Sequence, residues 1–142
     1  MHPRIKVLIV DDEPDMRTYL CNLLGGCGYD AIDAPNRQDG LRKAKAEKPA
    51  LIILDVTMPR EEGIQLYREL KQSPKLRKIP VIMVSSIGQK TFRQYQKTYC
   101  TLPLEEGAGR PGAYLKKPLN ADELIATLEL VRRGDAVRFT SV

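Results

Sequence analysis

The stretch LIILDVTMPR, residues 51–60, runs four aliphatic residues straight into Asp55. An unbroken run of Leu and Ile reads as a strand buried on both faces. A carboxylate at the end of such a strand is costly to desolvate. Either Asp55 sits uncompensated in the core, or the strand delivers it to a place where other groups meet it.

The flanking sequence answers by repetition. KVLIV (6–10) is a strand, and PDMRTYLCNLL (14–24) follows as a helix, with Pro14 in its first turn and Gly25 suited to ending it. DAIDA (30–34) is a second strand. Asn36 is placed to cap a helix over 37–48. LIIL (51–54) is the third strand, and residues 64–73 put Ile64, Tyr67, Leu70 and Lys71 at helical spacing. VIMV (81–84) is the fourth strand, 90–99 a further helix, and AYLK (113–116) the fifth strand. Asn120 with Glu123 opens a last helix over 121–133. Strand–helix units in this rhythm predict an α/β fold, a parallel sheet with helices on both faces.

Composition sets bounds on function. A chain of 142 residues, 42% hydrophobic and 29% charged, fits one globular domain. No apolar run approaches the roughly 20 residues that span a bilayer, and the N-terminus lacks a signal-peptide pattern. Three cysteines (Cys21, Cys27, Cys100) match no metal-ligand spacing and fit a reducing, cytoplasmic setting. The net charge of +5 is offset by 18 acidic residues, and no nucleic-acid motif accompanies it, which argues against nucleic acid as a partner.

In a parallel sheet the carboxyl ends of all strands share one edge, and open α/β folds bind ligands there. Strand one runs into Asp11, Asp12 and Glu13; strand three into Asp55; strand four into Ser85 and Ser86; strand five into Lys116, Lys117 and Pro118. Clustered carboxylates stay ionised cheaply only beside a cation. Oxygen-only donors favour Mg²⁺. A carboxylate beside that ion can attack phosphorus while a lysine and a hydroxyl hold phosphoryl oxygens. The expectation is a site for phosphorylating Asp55.

Four stretches in this order, VLIVDDEPDMR, LIILDVTMPREEG, PVIMVSS and AYLKKPL, resemble the receiver domain of two-component response regulators. The resemblance covers about 5–133. It implies a doubly wound, CheY-like (flavodoxin-like) fold of five strands in order 2-1-3-4-5 with five helices. It implies a receiver domain over 4–133 and a tail over 134–142. Asp55 becomes the phospho-acceptor, and Asp11, Asp12, Asp55 and the main-chain carbonyl of Thr57 hold Mg²⁺. Ser85 takes the hydroxyl position, Lys117 the lysine position before Pro118, and Tyr114 the aromatic switch that moves inwards as Ser85 turns to the phosphoryl group. The partners implied are a histidine kinase or phosphotransfer protein and a downstream effector whose identity the resemblance leaves open.

Each residue also has a plainer reading. Asp11 and Asp12 can cap the first helix, Asp55 can be a turn residue, the serines ordinary strand ends, and Tyr114 a packing residue; one of Lys116 and Lys117 is a solvated charge. The sequence departs from the family pattern in CTLPLEEGAGRPG (100–112), an extended loop beside the face by which receivers form homodimers or touch effectors. Two alternative functions stand beside the phospho-accepting receiver: a receiver-like interaction module not phosphorylated in use, and a phosphohydrolase of the haloacid-dehalogenase type. The last places its nucleophile after the first strand with an acid two positions on, where this chain has Thr57 after its third.

Overall fold

The computed structural model describes residues 4–86 and 112–134. His2, the helix expected over 90–99, the extended loop up to residue 111, and the tail beyond Gly134 lie outside the described residues. The elements are β1 (Lys6–Val10), α1 (Pro14–Gly26), β2 (Asp30–Ala34), α2 (Arg37–Glu47), β3 (Leu51–Asp55), α3 (Glu62–Gln72), β4 (Val81–Ser85), β5 (Ala113–Lys116) and α4 (Ala121–Arg132). The five strands form one parallel sheet in the order β2-β1-β3-β4-β5, the doubly wound topology expected.

The continuous apolar strands exist because both faces are covered. On β1, Leu8 and Val10 enter one core with Leu66, Tyr67 and Leu70 of α3 and Ala44 of α2. Their alternates Val7 and Ile9 enter the other, with Leu20 and Leu24 of α1 and Leu124 and Leu128 of α4. Each of these side chains is at most 1% exposed, and burying a Leu or Ile contributes about 1.5–3 kcal/mol.

Helix ends follow local chemistry. Asn36 Oδ1 accepts from Asp39 N–H at 2.8 Å, and Asn120 Oδ1 from Glu123 N–H at 2.9 Å, so both expected caps form. Gly25 does not end α1. The helix continues to Gly26, and Gly28 (φ 92°) makes the left-handed turn while Leu24 O accepts from both Cys27 N–H and Tyr29 N–H. The third helix starts at Glu62, two residues ahead of the apolar pattern, after left-handed Arg60 and Glu61 (φ 60° and 59°). β3 and β4 each run one residue further than their aliphatic runs, because Asp55 pairs with Val84 and Ser85 with Lys116.

Candidate functional site

Register builds the site. Val10 pairs with Leu54, so the next residues, Asp11 and Asp55, leave neighbouring strands side by side where the sheet order reverses. Both are buried, at 2% and 3% exposure. Asp55 is therefore inside the protein after all, and its compensation is a cation. Lys117 Nζ lies 3.0 Å from Asp11 Oδ2, 3.2 Å from Asp55 Oδ2 and 3.2 Å from Glu13 Oε1. Lys116, one residue earlier, is exposed. The Lys117 backbone N–H donates to Ser85 O at 2.7 Å, which fixes the lysine against the end of β4.

Two turns orient the acids. Glu13 N–H donates to Asp11 Oδ1 at 2.9 Å, and Thr57 N–H to Asp55 Oδ1 at 2.9 Å. Arg17 donates to the Asp11 carbonyl at 2.8 Å and to Asp33 Oδ2 at 3.0 Å, tying α1 to the start of the site. The helix-capping reading of Asp11 and Asp12 fails: the cap position of α1 is Glu13, and it makes no side-chain cap bond. Asp12 is exposed. One carboxylate oxygen from each of Asp11, Asp12, Glu13 and Asp55 lies within 4.8 Å of the others. Four hard oxygen donors beside two buried strand ends fit a hard divalent cation such as Mg²⁺ in donor chemistry.

Thr57 does more than its main chain suggests. Its Oγ1 lies 2.7 Å from Asp55 Oδ1, and both the N–H and Oγ of Ser86 lie within reach of Thr57 Oγ1, at 3.3 and 3.2 Å. The Thr57 hydroxyl donates to Asp55, and the Ser86 hydroxyl donates to Thr57. Ser85, by contrast, is fully buried. Its hydroxyl partners the phenol of Tyr114, which is itself buried.

Burial pushes the Asp11 carboxyl above its ordinary range, and the nearby Asp55 charge adds to this, while the Glu13 N–H and Lys117 oppose it. For Lys117, burial alone would lower the ammonium. The hydrogen bond to Asp11 and the charges of Asp55 and Asp11, with Glu13, outweigh it and hold the lysine above its ordinary value. Burial likewise raises the Tyr114 phenol against the Ser85 hydrogen bond.

The structure thus brings together Asp11, Asp12, Asp55, Thr57 and Lys117, with Ser85 at the end of neighbouring β4 hydrogen-bonded to Tyr114 of β5. Sequence reasoning assigned no role to Glu13 or Arg17, and did not foresee the hydrogen bonds that join Thr57 Oγ1 to Asp55 and Ser86. For the Thr57 N–H a signal existed: an Asp side chain that accepts from the backbone two residues on is the pattern of an Asx turn.

Fold and site together define an α/β domain with an acid–lysine centre at the carboxyl edge of its sheet. The chain belongs to the response regulator receiver domain family, whose pattern it matches over residues 7–129. It is 34% identical over 132 residues to the alkaline phosphatase synthesis transcriptional regulatory protein PhoP of Bacillus subtilis, covering 93% of this chain and 50% of PhoP. It is 33% identical over 131 residues to Protein PilH of Pseudomonas aeruginosa, covering 91% of this chain and 98% of PilH. The chain spans about half the length of PhoP and of other transcriptional regulators it matches. Among solved structures, the Vibrio cholerae chemotaxis protein CheY4 superposes with a TM-score of 0.76 at 27% identity, covering 91% of this chain and 99% of CheY4. Receiver domains are the regulatory half of two-component signalling. Among the described residues no helix is long and apolar enough to cross a membrane.

Proposed function

We propose that this receiver accepts a phosphoryl group on Asp55 from a phosphohistidine donor on a histidine kinase or phosphotransfer protein, with Mg²⁺ held by Asp11, Asp12, Asp55 and the main-chain carbonyl of Thr57. The observation that carries this reading is the Lys117 ammonium bonded to two buried strand-end carboxylates, with two further acids at the same point. A buried acid pair built only for stability has no need of Asp12 and Glu13 on its open side.

An Asp55 carboxylate oxygen forms the new bond to phosphorus as the donor's N–P bond breaks. Thr57 N–H and O–H fix the carboxylate plane through Oδ1. Lys117, now shared between Asp11 and Asp55, is within reach to follow the transferred oxygens and balance their charge. Bound Mg²⁺ supplies the remaining neutralisation of the phosphoryl group. Ser85 leaves the Tyr114 phenol to donate to a phosphoryl oxygen, and the ring, released from that hydrogen bond, repacks beside β5. That repacking alters the surface beside β4 and β5 which effectors or a second copy meet. On this reading the chain is a cytoplasmic phospho-acceptor rather than a turnover enzyme.

The test uses a small-molecule phosphodonor with Mg²⁺. Wild type forms an acyl phosphate, and Asp55→Asn forms none. Acid-labile phosphorylation that persists in Asp55→Asn overturns the assignment. Failure of the wild type to bind beryllofluoride with Mg²⁺ favours instead an interaction module that is not phosphorylated.

A further inference from the structure

Gly63 is the second residue of α3, and its backbone lies against the peptide that follows the acceptor. A Cβ on Gly63 would stand 2.3 Å from the Asp55 carbonyl oxygen, 2.6 Å from Val56 Cα and 3.0 Å from the Val56 carbonyl carbon. All three are backbone atoms, which cannot swing aside. Gly40 offers a contrast within the same molecule. A Cβ there would meet Leu66 Cδ2 at 2.9 Å and Val10 Cγ2 at 3.2 Å, the ends of side chains that can rotate.

The close approach at Gly63 is maintained against a cost. The connection from Thr57 to α3 puts two successive non-glycine residues, Arg60 and Glu61, in the left-handed region, at about 1–2 kcal/mol each. Glu61, the cap position of α3, makes no side-chain cap bond. The peptide that α3 presses on is the one that aims the acceptor. Asp55 Oδ1 is held by Thr57 N–H and O–H across that turn, while Oδ2 faces Lys117.

We propose that Gly63 is a positioning residue for phosphorylation: its missing side chain lets α3 set the Asp55–Val56–Thr57 turn, and through that turn the direction in which the Asp55 carboxylate points. This rests on the reading of Asp55 as the phospho-acceptor. Relieving the conflict that an alanine creates requires a displacement of about 1 Å, and misplacement of a reacting group by that much slows chemistry by up to about 100-fold.

The test compares wild type, Gly63→Ala and Gly40→Ala, all shown folded by circular dichroism. Two quantities are read: the rate of Asp55 phosphorylation by a small-molecule phosphodonor at saturating Mg²⁺, and the Thr57 amide resonance, which reports its bond to the Asp55 carboxylate. Gly63→Ala is expected to phosphorylate about 10–100-fold more slowly and to shift the Thr57 resonance. Gly40→Ala is expected to lose stability while keeping both. A wild-type rate with an unmoved Thr57 resonance in Gly63→Ala overturns the proposal. If Gly63→Ala does not fold, Gly63→Ala combined with Glu61→Gly relaxes the left-handed residue and lets α3 back away. That variant is expected to fold and stay slow; a wild-type rate, or failure to fold, overturns the positioning role. If wild type itself takes no phosphoryl group, the proposed function fails and the Thr57 resonance alone decides the role of Gly63.

Discussion

Lys117 has a tenth of its side chain exposed, and its two strand-end partners have 3% and 4%. Truncating it leaves two buried carboxylates without a cation, a change that costs about 3–5 kcal/mol. Lys117→Ala is therefore expected to lower the metal-free denaturation midpoint strongly, and Mg²⁺ to recover much of the loss; chemical denaturation with and without the ion measures both. Glu13 is 60% exposed at its side chain, so solvent screens it and its removal changes stability by under about 1 kcal/mol. The opposite sign applies to Asp11. Its folded pKa lies above the ordinary 3.8 because burial disfavours the anion. A raised carboxyl contributes stability that is complete below the unfolded pKa and is lost as pH rises through the folded one. Metal-free Asp11→Asn is expected to lose that part of the pH dependence, to be more stable than wild type near neutral pH, and to bind Mg²⁺ more weakly. Thermal melts from pH 4 to 8, with a calorimetric Mg²⁺ titration, check the three outcomes. Equal or lower stability of the variant at neutral pH shows that pairing with Lys117 outweighs burial.

Between β3 and α3 the chain makes a turn whose contents bear on how long a phosphoryl group survives. Hydrolysis needs a water in line with the Asp55–phosphorus bond. The Thr57 hydroxyl already donates to Asp55 and receives from Ser86, so it has little capacity left to orient that water. Slow self-dephosphorylation is expected, and Thr57→Asn, which supplies an amide, is expected to hasten it. Loss of the phosphoryl group from wild type within seconds, or no acceleration in the variant, contradicts the argument. Within β5, Tyr114→Phe removes the phenol that partners the buried Ser85 hydroxyl. It is expected to cost about 1 kcal/mol of stability and to leave the phosphorylation rate near wild type, since the Ser85 hydroxyl is retained at the end of β4. A large fall in rate would mean the phenol positions Ser85 directly. These turns were the least legible part of the sequence. Asn36 and Asn120 announced their helices because a cap needs only a short polar side chain at one position. The end of α1 was misread because Gly25 and Gly28 are equally glycine, and only the chain's need to turn towards β2 selects Gly28. Gly63 gave no warning, since its value lies in a contact with a strand several residues back.

Across the molecule, one sheet separates two buried clusters among the described residues, with Leu66 in one and Leu128 in the other. Leu66→Ala on α3 and Leu128→Ala on α4 should each cost about 2–5 kcal/mol. Their effects should add to within about 0.5 kcal/mol, with a single cooperative transition because both layers rest on the same strands; urea unfolding monitored from each face checks this. Marked non-additivity would mean that the faces communicate through the sheet. At this scale the sequence was informative. Four aliphatic residues in a row admit burial on both faces and little else, and parallel connections put every strand end on one edge. Asp11, Asp55 and Lys117 were therefore legible as neighbours before any distance was known. The lysine pair was separated by Pro118 alone, and the structure sends Lys117 inwards and Lys116 out. What remained hidden was the hydroxyl chain through Thr57 and Ser86, which depends on rotamers rather than on residue order.

The strand order carries a practical consequence. Among the described residues, the acids of the site and the hydroxyls that attend them precede residue 87, whereas Lys117 arrives with β5, paired there only to β4. A backbone break anywhere between Ser86 and Gly112 divides the protein into one fragment that holds the anions and another that holds their counter-ion. Reassociation of the two halves would then be coupled to the charge state of the acid cluster, so that a split version of this domain becomes a reporter of whatever cation occupies it.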